Sequence, residues 1–546
     1  MFKDLVDFLK KEGDFFFWRN IIFMAVVAGI ANAGLLAVIN SAAKIVENEG
    51  LNYRLFAIYG VVFLIFYITK RYSLTNSAQE VERIIKHVRD RISNKIVNSE
   101  LMAMEHIDSS SIFTRLTRDT TVMSQSAFQI TNASEAVIMI LFALMYILIL
   151  SPISFFVIIG GTAIVVAMFM SFTKIINSEL SRVDSLEERF IYSLTAIVNG
   201  FKEIKINSLK RKDILQEHEE HLNSLGNAKV DTSTLTVTSM MYSEIFLYTL
   251  LGVVVFVVPH LTAQDGATIL QVTATTLFII GPIGMVVSVA PMVSRTNVAI
   301  NNIYALERSF DEQSKMSVPV EQTGERIDDF ENIQLKGTEF NYLDENDNSL
   351  FSIGPMDLNI KKGEIIFIVG GNGSGKSTLV KLLLGLYFPQ KGQIFVDNQV
   401  IGRYNYQAYR DMFSIILGDF HLFERFYGLE NVDKNLVNKL LVEMGLNHKT
   451  SFVDGRFTNI NLSTGQKKRV ALILSILENK QVYVFDEWAA DQDPEFRKYF
   501  YHTILKKLRD EEKTIIAVTH DDAYFDVADK IYKMEYGQMV PYGRKG

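Results

Sequence analysis

Six long apolar runs lie within the first 300 residues, and they constrain the chain more than any other feature. They occupy 21–43, 55–75, 132–150, 153–173, 240–259 and 269–294. A helix rising about 1.5 Å per residue needs roughly 20 mostly apolar residues to cross a hydrocarbon core of about 30 Å. All six runs are candidates at that length, the second and third with shorter purely apolar cores. Residues 325–546 read instead as an ordinary soluble domain. The overall 48% hydrophobic and 21% charged content therefore averages two unlike halves. The polar stretch SFDEQSKMSVPVEQTGERID separates them, which predicts a membrane domain over 1–308, a linker over 309–328 and a soluble domain over 329–546.

Loop charge orients the spans. The connection 70–131 holds nine basic residues, from Lys70 to Arg118, and 174–238 holds another nine, from Lys174 to Lys229. The third and fourth runs meet at Ser151-Pro152, which predicts a tight turn, and PHLTAQDGA between the fifth and sixth has no Lys or Arg. Basic residues favour the cytoplasmic side, so both long connections and both termini are expected there. The long connections also carry a helical pattern. Val81, Ile84, Ile85, Val88, Ile92 and Ile96 recur at helical spacing, and 70–131 contains no proline. The membrane helices are expected to run on into the cytoplasm and to turn near HIDSSS and GFKEIKINS. The N-terminal MFKDLVDFLKKEGDFFFW mixes acids with lysines and lacks the small-residue cleavage site of a signal peptide. Its Phe2, Leu5, Phe8 and Leu9 predict a short amphipathic helix at the membrane surface.

Composition removes several function classes. With no cysteine, there is no disulfide, thiolate metal site or cysteine nucleophile. A net charge of −7 argues against nucleic acid as a partner.

In the soluble half, GEIIFIVGGNGSGKSTLVKLLLGL reads as strand, glycine-rich loop and helix. Its loop, Gly370, Gly371, Asn372, Gly373, Ser374, Gly375, Lys376, Ser377 and Thr378, satisfies G-x-x-x-x-G-K-[ST]. Such glycines let backbone N–H groups turn inward around phosphate oxygens, and the helix N-terminus adds a favourable dipole. Lys376 would reach the β- and γ-phosphates of a nucleotide, and Ser377 would offer a hydroxyl to Mg²⁺. A second apolar strand ends in VYVFDEWAADQDPEF. A solvated acidic turn is one explanation of its five carboxylates. Beside a phosphate loop, the pattern instead predicts Asp486 in the magnesium shell and Glu487 as the base that polarises an attacking water. A third strand, TIIAVTH, ends at His520, which would contact the γ-phosphate or position that water.

Between these segments lies NLSTGQKKRVALIL. Its LSTGQ, together with the order phosphate loop, signature, DE strand and histidine, resembles the ATP-binding cassette proteins. With six spans ahead, the chain is similar to an exporter-type half-transporter. The implied fold is an all-α six-helix transmembrane domain followed by an α/β P-loop cassette. In that family two cassettes sandwich two ATP molecules, so the resemblance implies a homodimer. Ser463, Thr464, Gly465 and Gln466 would face the nucleotide of the second copy. It also implies that Tyr342 stacks on adenine, that Asp493 couples the two sites and that Arg469 packs beside the signature helix. Asp491 and Glu495 are left as surface residues.

The chain departs from the family pattern in places. Gly418 stands where most members carry a glutamine that touches Mg²⁺ and the membrane domain, leaving Asp419, backbone or water to serve. The interval from Gly418 to Ser463 suggests a trimmed helical subdomain, and DEWAADQDP replaces a small-residue version. These departures resemble the syringomycin, pyoverdine and microcin exporters, a branch that moves cyclic peptides and siderophores across the bacterial inner membrane. An amphipathic peptide-like cargo is expected in consequence. A lipid flippase or hydrophobic-drug exporter of the same fold, and a membrane-anchored ATP-binding regulator, are the alternatives. The spans themselves say little of cargo. Asn32 and Asn40 fit cavity lining or interhelical bonding equally, Glu135 and Glu244 fit snorkelling to the interface, and Gly281, Pro282, Gly284 and Pro291 fit a bend in the sixth span.

Overall fold

The computed structural model describes residues 3–542, apart from 50–51, 108, 263–265, 314–326, 344–348, 403 and 430–431. Phe2, most of the expected linker, Asp108 of HIDSSS and part of PHLTAQDGA therefore lie outside the described residues. The chain divides into two compact units: Met1–Asn94 with Ser109–Ser309, and Lys95–Asp108 with Phe310–Gly546. Lys95–Asp108 thus groups with the soluble half, although its sequence position lies inside 1–308.

The first unit is helical. Among the described residues, six helices are long and apolar enough to cross a membrane: Phe17–Ala42, Tyr53–Val97, Ser111–Leu150, Pro152–Asn199, Ser208–His260 and Gly266–Glu312. The last five span 40 to 53 residues. At 1.5 Å per residue they exceed a hydrocarbon core of about 30 Å roughly twofold, so their polar stretches continue as helix beyond it. The third and fourth helices are separated by Ser151 alone. Its extended backbone and hydroxyl, which accepts the Ser154 N–H, cap a helix opening on Pro152. At the far end of the fourth, Gly200, the short helix Phe201–Ile206 and the cap Asn207 reverse the chain at GFKEIKINS. The sixth helix runs unbroken through Pro282 and Pro291.

Polar groups inside the bundle resolve the open readings. Asn40 is buried and donates to Thr275 Oγ1 at 3.1 Å, while Asn32 donates to Met139 Sδ at 3.2 Å. Both bonds join helices, which favours the interhelical reading; Asn32 remains half-buried. Glu135 is 6% exposed and pairs with Lys70 at 3.1 Å, so it does not snorkel to the interface; Glu244 is exposed. The amphipathic helix Lys3–Glu12 forms as expected, but its apolar face is covered by protein: Leu5 and Phe8 are buried, with Phe8 beside the ring of Tyr304.

The second unit contains β1 (Asn332–Leu343), β2 (Ser349–Lys361), β3 (Ile365–Gly370), β4 (Lys391–Val396), β5 (Gln399–Ile401), β6 (Phe413–Ile416), β7 (Phe452–Val453), β8 (Arg456–Phe457), β9 (Val482–Asp486), β10 (Thr514–Val518), β11 (Lys530–Glu535) and β12 (Gln538–Pro541). One sheet runs β12-β11-β3-β10-β9-β6 and is parallel except for β12; an antiparallel sheet runs β2-β1-β4-β5. The central strands β3, β9 and β10 are buried on both faces, which explains their nearly unbroken apolar sequences. Along β3, Ile365, Phe367 and Val369 enter one core and Ile366 and Ile368 the other, as a period of two requires. Between Gly418 and Ser463 the described residues include the ten-residue helix Lys434–Glu443 and the hairpin β7–β8.

Candidate functional site

Parallel register brings the candidate residues to one edge of the sheet. Ile368 pairs with Val518, Val518 with Asp486, and Phe485 with Ile416. The C-terminal ends of β3, β10, β9 and β6 therefore come level, and Gly370, His520, Asp486 and Gly418 follow at that edge. Crevices at such strand ends are where open α/β sheets take ligands.

The loop after β3 is shaped by its glycines. Gly370, Gly373 and Gly375 have φ of 150°, 73° and 103°, a region that side chains with a Cβ rarely occupy. A Cβ on Gly370 would lie 2.4 Å from the Met534 carbonyl oxygen, whereas Gly371 and Gly373 face open space. Lys376, buried at the start of the helix Lys376–Leu383, donates to the Gly370 and Gly371 carbonyls at 3.0 Å each. The Ser374 hydroxyl is buried without a partner, and Ser377 is exposed while Thr378 is buried. An ammonium held over an open glycine loop, with an orphaned hydroxyl beside it, fits an incoming polyphosphate.

Two further strand ends, those of β9 and β10, supply the acids and the imidazole. Asp486 is mostly buried, and burial raises its carboxyl above the ordinary range; Glu487 adds to this, while Lys376 and the Gly418 N–H oppose it. A cation there would offset the desolvation, so the donors fit Mg²⁺. Glu487 adopts a left-handed φ of 49°, uncommon for a residue with a side chain. The turn aims its carboxylate at His520, with Oε1 3.3 Å from Nε2 and 3.9 Å from Lys376 Nζ. Gly370–Thr378, Asp486, Glu487 and His520 are thus assembled within one cassette.

The signature residues sit elsewhere on it. Ser463 caps the helix Thr464–Glu478, exchanging hydrogen bonds with Gln466 in a reciprocal box, and Ser463 and Thr464 are exposed. Gly465 lies against the 487–493 turn: its carbonyl accepts from Gln492 Nε2 at 3.0 Å, and a Cβ would meet the Asp491 carbonyl oxygen at 2.5 Å. Asp493 caps the helix Pro494–Tyr499; the Phe496 N–H and then Arg469 hold its carboxyl below the usual range. Arg469 packs as expected, with its guanidinium 3.7 Å from the Phe496 ring centroid. Asp491 is exposed, as expected, and pairs at 2.7 Å with the buried Lys468. Glu495 is exposed.

Sequence reasoning missed a group around Tyr342. The Tyr342 hydroxyl lies 3.4 Å from Thr378 Oγ1 and 3.1 Å from the Tyr387 hydroxyl, which in turn donates to Glu105. Glu105 also pairs with Lys381 at 2.7 Å, and Glu100 pairs with Arg410 at 2.6 Å. These contacts hold the helix Leu101–His106 on the cassette. No motif announces them, since each partner is an ordinary surface charge in sequence. At the glutamine-like position, Gly418 offers a backbone N–H to Asp486, and a Cβ there would meet only Asp486 Oδ2, at 3.9 Å.

Comparisons with known proteins agree with this arrangement. The family model for ABC transporters matches residues 353–490. The ATP-binding protein SyrD of Pseudomonas syringae pv. syringae is 30% identical over 546 residues, covering 95% of this chain and 93% of SyrD. The ATP-dependent permease MDL1 of Candida albicans is 22% identical over 491 residues, covering 85% of this chain and 70% of the permease. A bacterial Atm1-family ABC exporter, solved with ATP bound, shares the fold with a TM-score of 0.75 at 15% identity, covering 96% of this chain and 94% of that one. The chain belongs to the ABC transporters as a half-transporter of the exporter fold, a membrane protein whose cassette binds ATP and hydrolyses it to drive transport.

Proposed function

We propose that the protein is a homodimeric exporter of an amphipathic cargo, a cyclic peptide or peptide siderophore precursor, working by alternating access. It sits in the bacterial inner membrane with both termini cytoplasmic, the orientation the loop charges favour. The observation that carries the reading is the division of one hydrolytic site into two halves. The phosphate loop, Asp486, Glu487 and His520 share one sheet edge, while Ser463 and Thr464 lie exposed at a helix end with no nucleotide-binding loop among their hydrogen-bond partners. A second copy supplies the missing half. The tip of the second long connection supports this: Val198, Phe201, Ile206 and Leu209 are 61–87% exposed, an apolar surface that calls for a partner.

In this reading Gly370 to Thr378 cradle the phosphates, Lys376 neutralises charge building on the γ-phosphate, and Tyr342 stacks on the base. Ser377 and Asp486 would hold Mg²⁺, which when bound polarises the phosphoryl oxygens. Glu487 takes a proton from the attacking water, oriented by His520. Ser463, Thr464, Gly465 and Gln466 face the second copy's ATP, and Asp493 stands at the junction. ATP binding joins the cassettes and opens the spans outward; hydrolysis resets them. The cargo class rests on the whole-length similarity to SyrD and the motif variants shared with that branch.

The test is ATPase activity in lipid nanodiscs against cyclic peptides, siderophore precursors and lipids, with Glu487→Gln as control. Stimulation of several-fold by a peptide, with a silent control that still binds ATP, is the expected result. Stimulation by lipids alone would favour a flippase. No hydrolysis under any condition would favour the ATP-binding regulator.

A further inference from the structure

The KKR that follows LSTGQ and the tryptophan of DEWAADQD, the latter a departure from the family pattern, meet in the fold. Lys468 projects from the signature helix and is 3% exposed. Its ammonium donates to the Glu487 carbonyl at 2.8 Å and pairs with Asp491 at 2.7 Å, so it grips both ends of the turn that follows β9. The contact is returned: the Trp488 indole N–H donates to the Lys468 carbonyl at 2.9 Å, and Trp488, 1% exposed, stacks on Phe500 with centroids 4.2 Å apart. The turn so held is the one that puts Glu487 at a φ of 49° and its carboxylate on His520. Backbone in that region persists where its surroundings over-determine it. A charged group buried between an acid and a carbonyl does this, since its own desolvation is offset only while both contacts hold.

We propose that Lys468 is a positioning residue for hydrolysis: it locks the Glu487–Asp491 turn to the signature helix, so that nucleotide engaging Ser463 and Gly465 sets the Glu487 carboxylate of the same chain. This rests on the reading above that the signature meets the second copy's ATP. One molecule's signature helix and general base then move as a single piece. The two sites of the dimer are linked through a side chain, in addition to any contact across their interface.

The experiment uses the full-length protein in nanodiscs, measuring ATPase rate against ATP concentration and, separately, equilibrium nucleotide binding. Lys468→Met keeps length and removes the charge. It is expected to lower kcat at least tenfold, leave ATP affinity within about twofold, and reduce the Hill coefficient toward one. A role confined to folding would instead weaken binding and rate together. Asp491→Asn, which keeps the Lys468 contact to the Glu487 carbonyl, is expected to lower kcat about threefold with binding intact, and it carries the test should Lys468→Met not fold. Either variant with kcat within twofold of the parent and an unchanged Hill coefficient overturns the proposal. A parent Hill coefficient of one, with Ser463→Arg still active, would instead overturn the two-copy reading. A kcat loss in Lys468→Met would even then uphold the positioning of Glu487 by Lys468 within its own chain.

Discussion

Gly465 illustrates how much one hydrogen atom decides at this site. Its α-carbon faces the Asp491 carbonyl so closely that a methyl group would lie 2.5 Å from the oxygen. Gly465→Ala must therefore push the signature helix away from the 487–493 turn. Overpacking of this kind costs about 1–3 kcal/mol. We expect a lower melting temperature and at least a tenfold loss of ATPase, read by differential scanning calorimetry and phosphate release. Gly418 is the opposite case. A Cβ there would meet only Asp486 Oδ2, at 3.9 Å, and the backbone N–H bonded to Asp486 is retained. Gly418→Gln is expected to leave stability within about 0.5 kcal/mol, as substitutions at uncrowded exposed positions usually do. Chemical denaturation of the purified protein checks this.

Among elements, the first long connection, 70–131, is held by charge. Arg91 lies between Glu12 and Glu307, at 2.7 and 2.5 Å, and so binds the N-terminal helix Lys3–Glu12 to the continuations of the second and sixth spans. Both acids raise its pKa further above the ordinary arginine value, Glu12 most, and both are nearly buried. Arg91→Ala removes the cation that the two carboxylates share. Breaking a buried pair costs roughly 3–5 kcal/mol, and the partial exposure of Arg91 brings the expectation down to about 2 kcal/mol. The readouts are a thermal melt in detergent and faster hydrogen exchange across residues 3–12. The helix Leu101–His106 depends similarly on Glu100 with Arg410 and Glu105 with Lys381. Removing both acids, as Glu100→Ala with Glu105→Ala, is expected to raise hydrogen exchange over 101–106 while strands β3, β9 and β10 keep their protection.

For the whole molecule, the proposed division of the site between two cassettes makes a specific demand on mixtures. Differently tagged parent and Glu487→Gln chains, co-expressed and purified through both tags, yield mixed dimers with one intact base. If each cycle needs both cassettes, those dimers hydrolyse well below half the parental rate. Two independent cassettes would give one half. Phosphate release from the doubly purified fraction distinguishes the two.

Periodicity and motif order made much of this legible in advance. Six apolar runs can only be satisfied by membrane-crossing helices, because in hydrocarbon every backbone group must bond within its own segment. The phosphate loop, DE strand and terminal histidine are local chemistry on local turns, and parallel register then aligns the strand ends that carry them. Contacts between residues remote in sequence were not legible. Lys468 to Asp491, Tyr342 through Tyr387 to Glu105, and Asn40 to Thr275 each join groups whose types suit many environments. Burial selects the partner, because a charge or amide withdrawn from water must find whatever counter-group the packed chain brings within reach. The sequence by itself therefore determined the membrane spans, the ATP-binding cassette and the identity of its reactive groups. Only the tertiary structure decided which side chains hold those groups in place.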